Sequence, residues 1–141
     1  MDYATLYISD PSIIGSKVLD TMPEILSYNS KSDNHHVLGM TLRLKAANID
    51  CNFMVNSELE NHLNGLSNFV SGSIAEGVDL SYSLSRVSQV RMAMGCCIDP
   101  GFDSEGEILN FIKHYSRTLN SLLFYDSTLF DYDLQILATL K

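Results

Sequence analysis

Val90-Arg91-Met92-Ala93-Met94-Gly95-Cys96-Cys97-Ile98-Asp99 alternates without interruption: Val90, Met92, Met94, Cys96 and Ile98 take one parity, Arg91, Ala93, Gly95, Cys97 and Asp99 the other. A period of two is the signature of a strand, because successive side chains point to opposite faces. The stretch therefore predicts a central strand with a large apolar face and a small second face. The same geometry decides the cysteine pair. Cys96 joins Met94 and Ile98 towards the main core, Cys97 points away, and one metal ion cannot readily take both. A bridge between them would need convergent side-chain vectors. No CxxC spacing occurs and Cys51 stands apart, so all three read as free structural thiols.

Downstream of this strand, Ser104-Glu105-Gly106-Glu107 has the form of a capping box and opens a helix with Ile108, Ile112, Tyr115, Leu119 and Leu122 on its apolar face. Two short strands follow, Leu122 to Tyr125 and Leu134 to Leu140, about a turn near Asp131-Tyr132-Asp133. Upstream, positions 71–89 fit a loop and then a short helix. Before them Ser57-Glu58-Leu59-Glu60 is a second capping box, with Ser57 at the N-cap. Leu59, Leu63, Leu66 and Val70 form an amphipathic stripe behind it. Gly65 inside this helix suggests a close approach to the sheet. Leu38 to Leu44 and Ile49 to Val55 alternate about a short break and predict a β-hairpin. Ser27 to His36 is polar and reads as a loop. At the start, Tyr3 to Ser9 is a strand, and Asp10-Pro11 opens a helix carrying Ile14, Val18, Met22 and Ile25 that Pro23 should kink or end.

The resulting order, β-α-β-β-α-(α)-β-α-β-β, predicts an α+β fold: a mixed, mainly antiparallel sheet with helices packed on one face. A chain of 141 residues holds about one domain, and a single domain over 1–141 is expected. The start lacks the basic and apolar regions of a secretory signal, which favours a cytoplasmic location. With 17 acidic against 9 basic residues the net charge is -8, so nucleic acid and anionic membrane surfaces are poor partners and basic proteins good ones.

No catalytic constellation is visible. His35, His36, His62 and His114 lack metal-ligand spacing, the glycines form no phosphate-binding pattern, and no serine sits in a nucleophile elbow. Asp103, Glu105 and Glu107 fail the positional requirements of a calcium loop and are better read as carboxylates at a helix start. No catalytic residue, metal or cofactor is therefore assigned.

From Leu38 onward the succession of the hairpin, His62-Leu63-Asn64-Gly65-Leu66-Ser67-Asn68-Phe69, Arg86 to Gly95, Leu119-Asn120-Ser121-Leu122-Leu123-Phe124 and Asp133 to Leu137, together with Thr5-Leu6-Tyr7, resembles the N-terminal α+β domain of an uncharacterised bacterial protein family. The resemblance implies a fold and a bacterial or phage origin. It carries over no catalytic residue.

The functional expectation is a non-enzymatic binding protein of immunity or antitoxin type, inhibiting a basic toxin or effector. The candidate surface comprises Asp99, Phe102, Asp103, Glu105 and Glu107 in one segment and Asp126, Phe130, Asp131, Tyr132 and Asp133 in another, acids for electrostatic steering and aromatics as anchors. The alternative is a small-ligand sensor or enzyme with a pocket at the sheet edge, using Asp99, Asp103 and His114.

Overall fold

The computed structural model describes residues 1–33 and 36–140. Its strands are β1 (Asp2–Ile8), β2 (Ser27–Asp33), β3 (His36–Arg43), β4 (Asn48–Met54), β5 (Met92–Asp99), β6 (Leu122–Tyr125), β7 (Thr128–Phe130) and β8 (Ile136–Thr139). The helices are α1 (Ser16–Asp20), α2 (Asn56–Ser73), α3 (Leu80–Ser88) and α4 (Glu107–Thr118). The strands form one sheet in the order β2-β3-β4-β5-β1-β6-β7-β8. Every pairing is antiparallel. The α+β class and the antiparallel sheet are as expected, and the quoted stretch is β5, paired with β4 on one side and β1 on the other.

The helices do not share one face. Ala4, Leu6, Ile8, Met94, Cys96 and Ile98 meet α1 and α4 through Leu19, Ile108, Phe111, Ile112 and Tyr115. On the reverse face Tyr7, Ala93, Leu122 and Leu129 meet α2 and α3 through Leu59, Leu66, Val70 and Val87. The reason is that β1, β5 and β6 carry adjacent apolar residues, Leu6-Tyr7-Ile8, Ala93-Met94 and Leu122-Leu123, which bury both faces of the sheet centre. Cys96 lies in the first core and Cys97 is half-buried on the other face, as the alternation requires. Cys51 does not stand apart: it pairs with Cys96 across β4 and β5, sulfur to sulfur 3.6 Å.

Several boundaries differ from expectation. Ser27–Asp33 is an edge strand, paired only with β3, and not a loop. Its polar sequence carries no apolar alternation because neither face is deeply covered. The expectation for His35 lies outside the described residues. Asp10 does cap a helical turn, accepting from the Ser12 amide at 3.1 Å. That turn, Pro11–Ile13, is a 3-10 segment that stops before Gly15, and only the five-residue α1 follows. Helix α2 begins at Asn56 behind Val55, so Ser57 is not its cap. The carboxylate that caps α4 belongs to Asp103, which accepts from the Glu107 and Ile108 amides at 3.2 and 2.9 Å, and not to the Ser104 box. Strand β7 was not expected, and it, rather than β6, pairs with β8.

Gly65 is exposed, and a methyl group added there would meet nothing within 4 Å. Close approach to the sheet therefore does not explain it. Gly65→Ala is expected to raise the unfolding free energy by about 1 kcal/mol through helix propensity alone, a gain that urea denaturation would resolve.

Candidate functional site

Helix α4 is entered through the loop 100–106, and this loop is fastened to the start of the chain. The Phe102 amide donates to Asp2 Oδ2 at 2.7 Å. Gly101, at φ 154°, makes the approach possible, since a Cβ there would lie 2.5 Å from the same carboxylate oxygen. The loop thereby delivers Phe102 edge-on to Tyr125, with ring centroids 6.1 Å apart, and Tyr125 stacks on Phe130 at 5.3 Å. Tyr125 and Phe130 share a sheet face because Phe130 pairs with Leu123, two residues from Tyr125 on β6, across the hairpin closed by Asp126-Ser127. The three rings are half-buried and form a continuous row, with the Lys113 ammonium 5.9 Å from the Tyr125 ring centre.

The segments that carry this row also carry carboxylates. Asp103, Glu105 and Glu107 place ligand-type oxygens within 4.8 Å of one another. The amides it caps hold the Asp103 carboxyl below its ordinary range. Asp126 is exposed at the hairpin tip and Asp133 in the next turn, while Asp99 is exposed at the end of β5. Two of the predicted residues sit elsewhere. Asp131 is 4% exposed. It accepts from the Tyr82 hydroxyl, from Arg86 Nε at 3.2 Å and from the Tyr132 amide at 2.8 Å. Tyr132 is exposed, with the Arg86 guanidinium 5.6 Å above its ring. The hydrogen bond to Asp131 is the main reason the Tyr82 phenol is pushed up to about 12.

Of the three residues suggested for a small-ligand site, His114 and Asp99 line two different pockets, and that of His114 is the larger of the two. The His114 pocket is an open one of about 530 Å³ beside α4, lined by Glu24, Lys45, Glu107, Asn110 and Phe111. Asp99 borders a separate depression of about 230 Å³ that Arg43, Lys45 and Asn48 also line. Sequence reasoning missed the polar pairings of the opposite face: Tyr7 hydroxyl with His62 Nε2 at 2.8 Å, and Lys31 with both Asp50 and Asn52. Burial pushes the Tyr7 phenol well up. The parity of β4 could have shown Asp50 and Asn52 together on one face, but not which strand would lie beside them.

No protein-family model, curated protein or solved structure matches this chain. Among the described residues no helix is long and apolar enough to cross a membrane.

Proposed function

We propose that this protein is a non-enzymatic binding protein of immunity or antitoxin type that covers a basic toxin or effector with the face built from loop 100–106 and the β6–β7 hairpin. One observation supports this above others: the Phe102, Tyr125 and Phe130 row joins two acidic segments that are separate in the sequence. Aromatic anchors among predominantly acidic groups, with Lys113 against Tyr125, suit a steered protein interface, since the carboxylates speed encounter and the rings hold the complex. Asp99, Glu105, Glu107, Asp126 and Asp133 supply the field. Asp131 is consumed by Arg86 and contributes none of it.

A second reading is supported by the pocket beside α4, whose Glu24, Lys45, Glu107, Asn110 and His114 suit a small polar ligand of a sensor or enzyme. Capture from the native cell, followed by kinetics on the captured partner, separates the two. Glu105→Lys with Glu107→Lys is expected to slow association about tenfold at low salt, with the difference shrinking as salt is added. Phe102→Ala is expected to speed dissociation. An association rate unchanged by the double reversal, in a variant whose melting temperature is intact, would overturn the protein-binding reading.

A further inference from the structure

Strand register sets Cys51 of β4 directly opposite Cys96 of β5. Which kind of antiparallel pair they make follows from the neighbouring hairpin. The Leu44 amide donates to the Ala47 carbonyl at 2.9 Å, and this pair continues the β3–β4 register in which Leu42 faces Ile49 and Met40 faces Cys51. In an antiparallel ladder hydrogen-bonded and non-hydrogen-bonded pairs alternate, and both backbone groups of a residue turn to the same neighbouring strand. Ala47, Ile49 and Cys51 therefore turn theirs to β3, and Asn48, Asp50 and Asn52 turn theirs to β5. Cys51 and Cys96 are thus a non-hydrogen-bonded pair.

That class brings opposed Cα atoms to about 4.5 Å, with the side chains closer than in the other class. A disulfide needs Cα atoms about 4.4–6.8 Å apart. The backbone therefore already stands where a bridge requires it, at the short end of the range. The sulfurs are 3.6 Å apart, and side-chain rotation alone has to bring them to a bond of about 2 Å. Cys97 does not compete for either of them, because it is half-buried on the opposite face of the sheet with its sulfur 3.4 Å from Met1 Sδ.

We propose that Cys51 and Cys96 are a site of oxidative modification, joined as a cross-strand disulfide by a hydroperoxide. With hydrogen peroxide, one sulfur takes an oxygen: the O–O bond breaks, an S–O bond forms and water leaves. The second thiol then displaces that oxygen. An S–S bond forms, the S–O bond breaks, and the thiol proton departs with hydroxide as water. The pair loses two electrons and one peroxide becomes two waters. Both thiols are buried, and their shared hydrogen bond together with burial pushes the Cys96 thiol well up. The reaction therefore waits on brief local openings. Helix α4 supplies the cover that must lift, since its Tyr115 hydroxyl lies 4.0 Å from Sδ of Met40, the β3 neighbour of Cys51. Once formed, the bridge closes a loop over residues 52–95 that contains α2 and α3, which restricts the unfolded chain.

The test is to hold the full chain and its Cys97→Ser variant in millimolar hydrogen peroxide without denaturant, then unfold, alkylate and digest them. In both, Cys51 and Cys96 are expected to resist alkylation until dithiothreitol is added and to appear in one cross-linked peptide pair. The bridged Cys97→Ser protein is expected to melt about 5 °C or more above its reduced form. Free thiols or sulfinic acids at 51 and 96 without a link, a bridge through Cys97 in the unaltered chain, or a bridge that forms only in unfolding urea would overturn the proposal. So would a lower melting temperature after bridging, because the strands would then have to move to accept the bond.

Discussion

Asp131→Ala is expected to lower the unfolding free energy by about 3–5 kcal/mol, the cost of removing one partner from a buried ion pair. The Asp131 and Arg86 side chains are 6% and 13% exposed, so water does little to screen or replace their attraction. Asp131 also accepts from Tyr82 and from the Tyr132 amide, and its own backbone closes the turn through Gln135 and Leu134. Without it, the Arg86 guanidinium, one of whose terminal nitrogens is already buried and unpartnered, loses its carboxylate. Helix α3 and the β7–β8 turn then lose the connection between them. Urea unfolding checks this, and a loss below about 1 kcal/mol would show that the pair is solvated. Replacing both members by apolar residues of similar volume, Arg86→Met with Asp131→Leu, should recover most of the loss, because what is expensive is a buried charge left alone.

That pair also marks a limit of sequence reading. An aspartate between Phe130 and Tyr132 in a turn looks like a solvated residue, and its partner lies 45 positions away on a helix, a distance over which local pattern carries no information. Where burial imposes a period, the pattern was legible: β5, the β3–β4 hairpin, the α2 stripe and the two faces of Cys96 and Cys97 all follow from alternation. Strand β2 left no such trace because an edge strand is specified by backbone pairing with β3. Strand β7 was hidden by its brevity and by an Asp126-Ser127 turn in which both residues have positive φ, 52° and 54°, without the glycine that usually announces it. The candidate binding residues were found by charge and aromaticity. Their meeting through Tyr125 depended on which strands become neighbours.

Helix α4 is held mainly by burial, and Phe111→Ala is expected to show it with a loss of about 3–5 kcal/mol. Among the described residues no ion pair links α4 to the sheet. Its attachment is the apolar face of Ile108, Phe111, Ile112 and Tyr115 against Leu6, Ile8, Met94 and Ile98. Phe111 is 2% exposed and its ring lies 5.9 Å from that of Tyr115, so truncation removes a central contact and leaves a cavity beside a helix whose polar ties are few, the Tyr115 hydroxyl to Met40 Sδ at 4.0 Å and the Ser116 and Ser121 hydroxyls at 2.9 Å. Phe111→Leu, which retains most of the volume, should cost far less. The two variants also bear on the binding face, because α4 begins at the Asp103 cap and carries Glu107 and Lys113. If the face is rigid only while α4 is seated, Phe111→Ala weakens partner binding beyond the fraction of molecules unfolded, and Phe111→Leu does not. A loss under about 1 kcal/mol for Phe111→Ala would mean that the site collapses without a cavity, and that α4 is held by something other than this core.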